Sequence, residues 1–303
     1  MDDRSIAVAI PCYNESVTIS KVVTDFKHEL PNARITVFDN NSTDGSIEKA
    51  RAAGAEIFSE KRQGKGFVVR KIFETLHEDI VILVDGDDTY FAADVHELLR
   101  LLKENDVDMA VGNRLVEIGK GMNGAHTFGN HIIKRFLNFF FGTDFKDILS
   151  GYRAFSKSFY KNIPLMSGGF EIETELVLQA VERGYSIKEV QVGYKDRPSG
   201  SYSKIKDFSD GYKIIFTIIS LLRDYRPMVF FSWMGGAFIF FGLLSGLRVV
   251  VEFVETGLVL YMPTAVLSVS LIIIGINAFL SGLTVSAINR RTREMEMIMN
   301  KKK

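Results

Sequence analysis

Cysteine is almost missing from this chain of 303 residues. Cys12 stands alone, which excludes an internal disulfide framework, fits a reducing compartment and makes a small buried hydrophobe the plain reading of that side chain. An excess of either charge is missing too: 37 Lys and Arg balance 37 Asp and Glu, so no global field draws the chain to nucleic acid. No Cys/His pattern with metal-ligand spacing occurs, since His126 and His131, five apart, are poorly placed for one helical face. The opening Met1-Asp-Asp-Arg-Ser5 carries no cleavable signal pattern and runs into a strand-like stretch.

Charge is absent from two long stretches further on. Met228 to Leu247 gives 20 consecutive uncharged residues, and Leu258 to Ile288 gives 31. A hydrocarbon core of about 30 Å needs roughly 20 apolar helical residues, so each stretch is long enough to cross a bilayer. Arg223 and Arg226 precede the first, and Arg290, Arg291, Arg293 and Lys301 to Lys303 follow the second. The connection carries Arg248 against Glu252 and Glu255. Positive residues stay on the cytoplasmic side, which predicts a hairpin with both chain ends and the soluble part in the cytoplasm. The expected parts are a soluble domain over 1–204, a juxtamembrane interfacial helix over 205–226, two membrane helices over 227–289 and a basic tail over 290–303.

The soluble part alternates short β-branched runs with helical patterns. Ser5–Ile10, Ile35–Phe38, Ile80–Val84 and Asp108–Val111 read as buried strands. Val17–Leu30 places Ile19, Val22, Val23, Phe26 and Leu30 on one helical stripe, and Pro31 ends it. Ser46–Ala53 and Gly66–Leu76 are further helices, and Asp94-Val-His-Glu97 reads as a capping box opening another. Such alternation predicts an α/β fold with a mostly parallel sheet and helices on both faces. Ligands of such sheets bind beyond the carboxyl ends of the strands.

Three acid-bearing loops follow successive strands there. They are Pro11-Cys-Tyr-Asn-Glu15, Asp39-Asn-Asn-Ser-Thr-Asp-Gly45 and Asp85-Gly-Asp-Asp-Thr89. Turn chemistry accounts for any one of them alone. Asp85 and Asp87, with only Gly86 between them, offer hard oxygens suited to Mg²⁺ or Mn²⁺, ions usually held by one or two carboxylates together with substrate phosphates.

These three loops resemble the signature of family 2 glycosyltransferases with the GT-A fold. Asp147-Ile-Leu-Ser-Gly-Tyr-Arg153, Gly169-Phe-Glu171 and Arg197-Pro-Ser-Gly-Ser-Tyr-Ser-Lys204 resemble later motifs of dolichyl-phosphate mannose synthases and bacterial polyisoprenyl-phosphate glycosyltransferases. The resemblance runs from Ile6 to Lys204. It implies a GT-A, Rossmann-like sheet followed by a C-terminal two-helix transmembrane hairpin. The implied activity is inverting transfer of a hexose from a nucleotide-sugar, with a UDP-sugar preferred, to undecaprenyl or dolichyl phosphate. Pro11, Tyr13 and Glu15 would line the base and ribose, with Asp39 on the base. Asn40 stands where the family often has a second acid. Asp85 would help hold the sugar or ribose and Asp87 the metal, while Asp88 is an added acid where many relatives are apolar. Arg114 is the candidate contact to the donor phosphates. Arg153, Arg197, Ser203 and Lys204 would hold the lipid phosphate, since guanidinium binds phosphate as a planar fork and ammonium as a point charge.

Phe136–Phe141 and Tyr212–Leu222, each apolar beside basic residues, read as interfacial helices or as core. Gly235, Gly236, Gly242 and Gly246 would let helices approach closely, within the hairpin or between subunits of a homo-oligomer. Other readings are a processive polysaccharide synthase, an enzyme acting on a neutral lipid hydroxyl, and an inactive nucleotide-sugar-binding scaffold. The first carries Gln-x-x-Arg-Trp, whereas the single tryptophan here, Trp233, follows Phe-Ser.

Overall fold

The computed structural model describes residues 4–104, 106–114, 135, 138, 139, 142, 144–169, 171–198, 200, 219, 220 and 222–300. The chain divides into two compact units, Met1–Gly211 and Tyr212–Lys303.

The first unit is built on a seven-stranded sheet in the order β3-β2-β1-β4-β6-β5-β7. Its strands are β1 (Ile6–Cys12), β2 (Arg34–Asp39), β3 (Glu56–Ser59), β4 (Ile80–Leu83), β5 (Met109–Asn113), β6 (Arg153–Ser156) and β7 (Ile187–Gln191). All neighbouring pairs are parallel except those of β6, which runs antiparallel to both β4 and β5. The mostly parallel expectation holds. Every residue of β4 is buried, as befits a strand covered on both faces.

Five helices pack on this sheet: α1 (Ile19–Glu29), α2 (Ser46–Ala52), α3 (Lys65–Thr75), α4 (Val95–Glu104) and, after β6, the short α5 (Lys157–Asn162). A sixth, α6 (Ile172–Arg183), leads to β7. Alternation along β1 splits its side chains between the faces. Val8, Ile10 and Cys12 share one core with Ile19, Val22, Val23 and Phe26 of α1 and Leu98, Leu99 and Leu102 of α4. Ala7 and Ala9 are left for the other face, where α3 packs, and Phe73 of α3 meets Phe155 and Tyr160 edge-on or tilted. Asp94 stands immediately before α4, where the capping box puts it. It ends a 3₁₀ turn, Ala92–Asp94, and its carboxylate accepts the Gly193 amide at 2.7 Å.

Strand direction positions the site. The carboxyl ends of β1, β2 and β4 point one way, and antiparallel β6 begins at that same edge, with Arg153 paired to Leu83 of β4 and Val111 of β5. The Ser150-Gly151 turn therefore arrives beside the loop that leaves β4.

The second unit contains two apolar helices, α7 (Pro227–Thr256) and α8 (Met262–Asn300). Both are long and apolar enough to cross a membrane, with mean hydropathy 2.0 and 2.2 over their most apolar windows. They pack against each other along their length. Arg248, Glu252 and Glu255, expected in the connection, belong to the last turns of α7, which ends where Gly257 takes a φ of 71°. Residues 290–300, expected as a tail, continue α8. Of the small residues expected to pack, Gly235, Gly242 and Gly246 face α8, whereas Gly236 meets nothing. Most of 136–141 and of 212–222 lies outside the described residues.

Candidate active site

The loop after β4 gathers the charges. Asp85 binds the Lys65 ammonium at 2.5 Å through Oδ1. Its Oδ2 lies where a side chain at position 151 would stand, 2.1 Å from the Cβ that glycine lacks. Gly151 is held in place by donating its amide to the Tyr90 hydroxyl at 2.9 Å. Burial opposes the charge on Asp85, yet Lys65, with Arg114 and Arg197 further off, holds its carboxyl below the usual carboxylate range. Lys65 also pairs with Glu173 at 2.7 Å. Burial works against its charge as well, and the two carboxylates keep it well above the ordinary lysine range.

Asp87 is 4% exposed and is paired differently. Its Oδ2 lies 2.5 Å from Arg197 Nη2, and its Oδ1 accepts the Thr89 hydroxyl at 2.7 Å and the Thr89 amide at 3.2 Å. Burial, then the neighbouring Asp85 charge, pushes its carboxyl up, with Arg197 pulling the other way. Arg197 also approaches Glu15, at 3.9 Å. Asp88, the added acid, has a left-handed φ of 58° and meets Lys195 at 2.8 Å and Lys21 at 3.3 Å. Two adjacent acids thus have different partners: Asp87 faces the arginine of the late motif, and Asp88 ties the loop to α1 and to the 195 segment.

Pro11 ends β1 half-buried, Tyr13 is exposed, and Glu15 is buried with its amide on Ser46 Oγ at 2.8 Å. Asp39 ends β2 and accepts the Ser42 amide at 3.0 Å. Asn40 is corrected: it is buried, and its amide is fully committed inside the protein. Its nitrogen donates to the carbonyls of Glu60 and Arg62 at 2.9 and 2.8 Å, and its oxygen accepts from Gly64 at 2.7 Å. An acid could not donate those two bonds, which explains why an amide stands there. Arg114 is bonded to Asp147 through Nε and Nη2, at 2.7 and 2.9 Å, and lies over the Tyr194 ring.

Arg153 is also corrected. It is 0% exposed, with Nε on the Ser150 carbonyl at 2.9 Å and Nη2 on the Ile148 carbonyl at 2.5 Å, and burial lowers its pKa. Its guanidinium is turned inward, onto the carbonyls of the turn that presents Gly151 to Asp85. Ser203 and Lys204 lie outside the described residues. Burial pushes the Cys12 thiol up to about 12, which fits packing rather than attack.

Sequence reasoning missed Lys65 and Glu173. The signal for the first was present in Gly64-Lys65-Gly66, a lysine between two glycines opening a helix. Glu173 sits in an acidic helical stretch that reads as solvated surface, and nothing local marks it as buried.

Carboxylates at parallel strand ends are lined here with counter-cations and a late arginine, and comparison with known proteins gives the family. A family model, glycosyl transferase family 2, matches residues 7–163. A glycosyltransferase of Haloferax volcanii, AglJ, is 34% identical over 292 residues, which span 96% of this chain and 95% of its own. The chain belongs to glycosyl transferase family 2. Another member-like relative, named dolichyl-phosphate hexose transferase in H. volcanii, is 26% identical over 73% of this chain and 95% of its own. Among solved structures, glucosyl-3-phosphoglycerate synthase from Mycobacterium tuberculosis, in complex with Mn²⁺, UDP and glucosyl-3-phosphoglycerate, gives a TM-score of 0.59 at 22% identity. The match covers 73% of this chain and 79% of that one, and it speaks for the fold. This family 2 protein is therefore a glycosyltransferase with a GT-A-like sheet and two C-terminal apolar helices.

Proposed function

We propose that this glycosyltransferase moves a hexose, with inversion, from a nucleotide-sugar to the phosphate of a polyisoprenyl lipid such as undecaprenyl or dolichyl phosphate. The observation that carries this reading is the 2.5 Å pair between Arg197 and Asp87. A guanidinium from the basic late motif reaches the acids expected to serve the donor. In this reading the one arginine stands between the donor's acids and the lipid phosphate. The relative named dolichyl-phosphate hexose transferase supports the same acceptor class, and the two candidate membrane spans supply a bilayer anchor.

The donor set suits a divalent ion. Asp85 and Asp87 stand two apart on one loop, each already paired with a cationic side chain. No cluster of three or more His, Cys, Asp or Glu able to hold a metal occurs among the described residues. The protein would thus give one or two carboxylate oxygens, and the substrate diphosphate the rest, which is the ordinary way Mg²⁺ is held. Bound at Asp87 and Asp85, Mg²⁺ or Mn²⁺ would neutralise charge on the departing nucleoside diphosphate.

The protein's own groups carry the remaining steps. Pro11, Tyr13, Glu15 and Asp39 line the base and ribose, and a UDP-sugar is the preferred donor. Asp85 accepts from a hydroxyl of the donor, while Arg114 contributes positive field from its place on Asp147. Arg197 and Lys204 hold the lipid phosphate and offset the repulsion between two anionic substrates. A phosphate oxygen, already anionic, forms the bond to the anomeric carbon as the bond from that carbon to the diphosphate breaks, so no general base is required. The basic residues flanking α7 and α8 support a topology with the catalytic unit and both chain ends on the cytoplasmic side, where nucleotide-sugars are made.

Purified full-length protein incubated with polyprenyl phosphate and a panel of nucleotide-sugars, with the lipid product weighed by mass spectrometry, tests this. A polyprenyl-phosphate hexose is expected. Transfer only to a neutral lipid or a growing glycan would overturn the acceptor.

A further inference from the structure

Lys65 links two carboxylates from distant parts of the chain: Asp85 after β4, at 2.5 Å, and Glu173 in the first turn of α6, at 2.7 Å. The Lys65 and Glu173 side chains are only 10% and 6% exposed. Buried carboxylates need a cation, and here one ammonium serves both. The backbone is arranged to allow it. A Cβ on Gly64 would stand 2.1 Å from the Gly168 carbonyl oxygen, and one on Gly66 would stand 2.2 Å from that of Ser167. These glycines bring the start of α3 against the segment that leads into α6. Glu175 then accepts the amides of Met166 and Ser167, both at 2.8 Å, and pins that segment. Glu173 itself sits in the first turn of α6, where the helix dipole favours negative charge.

We infer that Glu173 is a positioning residue for the donor site, acting through Lys65 on Asp85. The inference rests on the reading that Asp85 serves the donor. With Glu173 present, the ammonium stays seated when a donor hydroxyl draws on Asp85. Without it, Lys65 has Asp85 as its one close acid among the described residues and competes with the donor for that carboxylate.

Glu173→Gln keeps the side chain's size and an accepting oxygen. The full-length protein in detergent, titrated by calorimetry with UDP and with GDP in the presence of MnCl₂, is expected to lose about tenfold in affinity for whichever nucleotide the wild type binds. Its melting temperature should stay within a few degrees. A Lys65→Met/Glu173→Gln double variant should bind like Lys65→Met alone, within about twofold, because both changes act through one ammonium. This pair also covers the case in which Glu173→Gln folds poorly, since the double variant removes both buried charges together. Wild-type affinity in Glu173→Gln, or losses that multiply in the double variant, would overturn the inference. A wild type that binds nucleotide yet transfers nothing to polyprenyl phosphate would sink the acceptor reading and leave this inference standing. A wild type that binds neither nucleotide sinks both.

Discussion

Gly151 in the first unit and Gly242 in the second both lack room for a side chain, and the reasons differ. At Gly151 the space is filled by a carboxylate, that of Asp85. At Gly242 it is filled by another helix: an added Cβ would lie 2.8 Å from an Ile272 side-chain carbon and 3.0 Å from the Ser268 carbonyl oxygen. Ser268 Oγ donates to the Gly242 carbonyl at 2.7 Å. Gly235 and Gly275 repeat the pattern, each set against the other's carbonyl. Between apolar helices in lipid there is no hydrophobic gain to drive association, so close packing and interhelical hydrogen bonds must supply it. In the first unit the sheet already provides the core, and glycine serves to aim charge. Crowding the first region should therefore damage chemistry, and crowding the second should damage stability.

The largest effect should come from the neighbouring acid on the same loop as Asp85. Asp87→Asn is expected to lower transfer by about a thousandfold, read as nucleoside diphosphate release, with little change in melting temperature. Unchanged turnover would remove Asp87 from the metal role. Next comes Gly151→Ala, which pushes the Asp85 carboxylate from its place. A displacement near 1 Å costs roughly a hundredfold in kcat/KM, and circular dichroism should show the fold retained. In the hairpin, Gly242→Leu should cost about 1–3 kcal/mol through overpacking, seen as a lower melting temperature in detergent, while kcat/KM at permissive temperature stays within about threefold. If Gly242→Leu hurts turnover as much as Gly151→Ala does, the division between the two regions fails.

The smallest effect concerns pH. Arg62, hydrogen-bonded to Glu60, lowers that carboxyl from its ordinary 4.5 to about 2. A depressed folded pKa gives stability that is present above about pH 4.5 and lost as pH falls toward 2. Glu60→Gln should therefore flatten the acid limb of a urea-midpoint profile over that window and leave the neutral region nearly parallel to wild type. An unchanged acid limb would show that the pair contributes nothing measurable.

Much of the fold was legible because its signals are local. Four of the seven strands are apolar runs bounded by turn residues, and α1 and α4 show their stripes plainly. The three missed strands are missed for physical reasons. β3 and β7 are the outer strands of the sheet, short and half-exposed, so they lack an apolar run. β6 opens with Arg153, a charge that only its burial against the Ile148 and Ser150 carbonyls reconciles with a central strand. The same arginine misled the site reading, because a charged motif residue near other basic residues suggests a ligand contact. Asn40 misled it in the same way, since an amide beside an acid does not reveal that all its bonds are internal.

By itself the sequence determined the alternating α/β plan, the acids at the strand ends and the two apolar helices, because burial and periodicity leave marks within a few residues. Which charges pair was decided only in three dimensions. Asp85 meets Lys65 and Gly151, Lys65 meets Glu173 from 108 residues away along the chain, and Asp87 and Asp88 part company because one faces Arg197 and the other Lys195. Electrostatic partnership acts through space and depends on burial, so a list of residues carries its ingredients without its pairings.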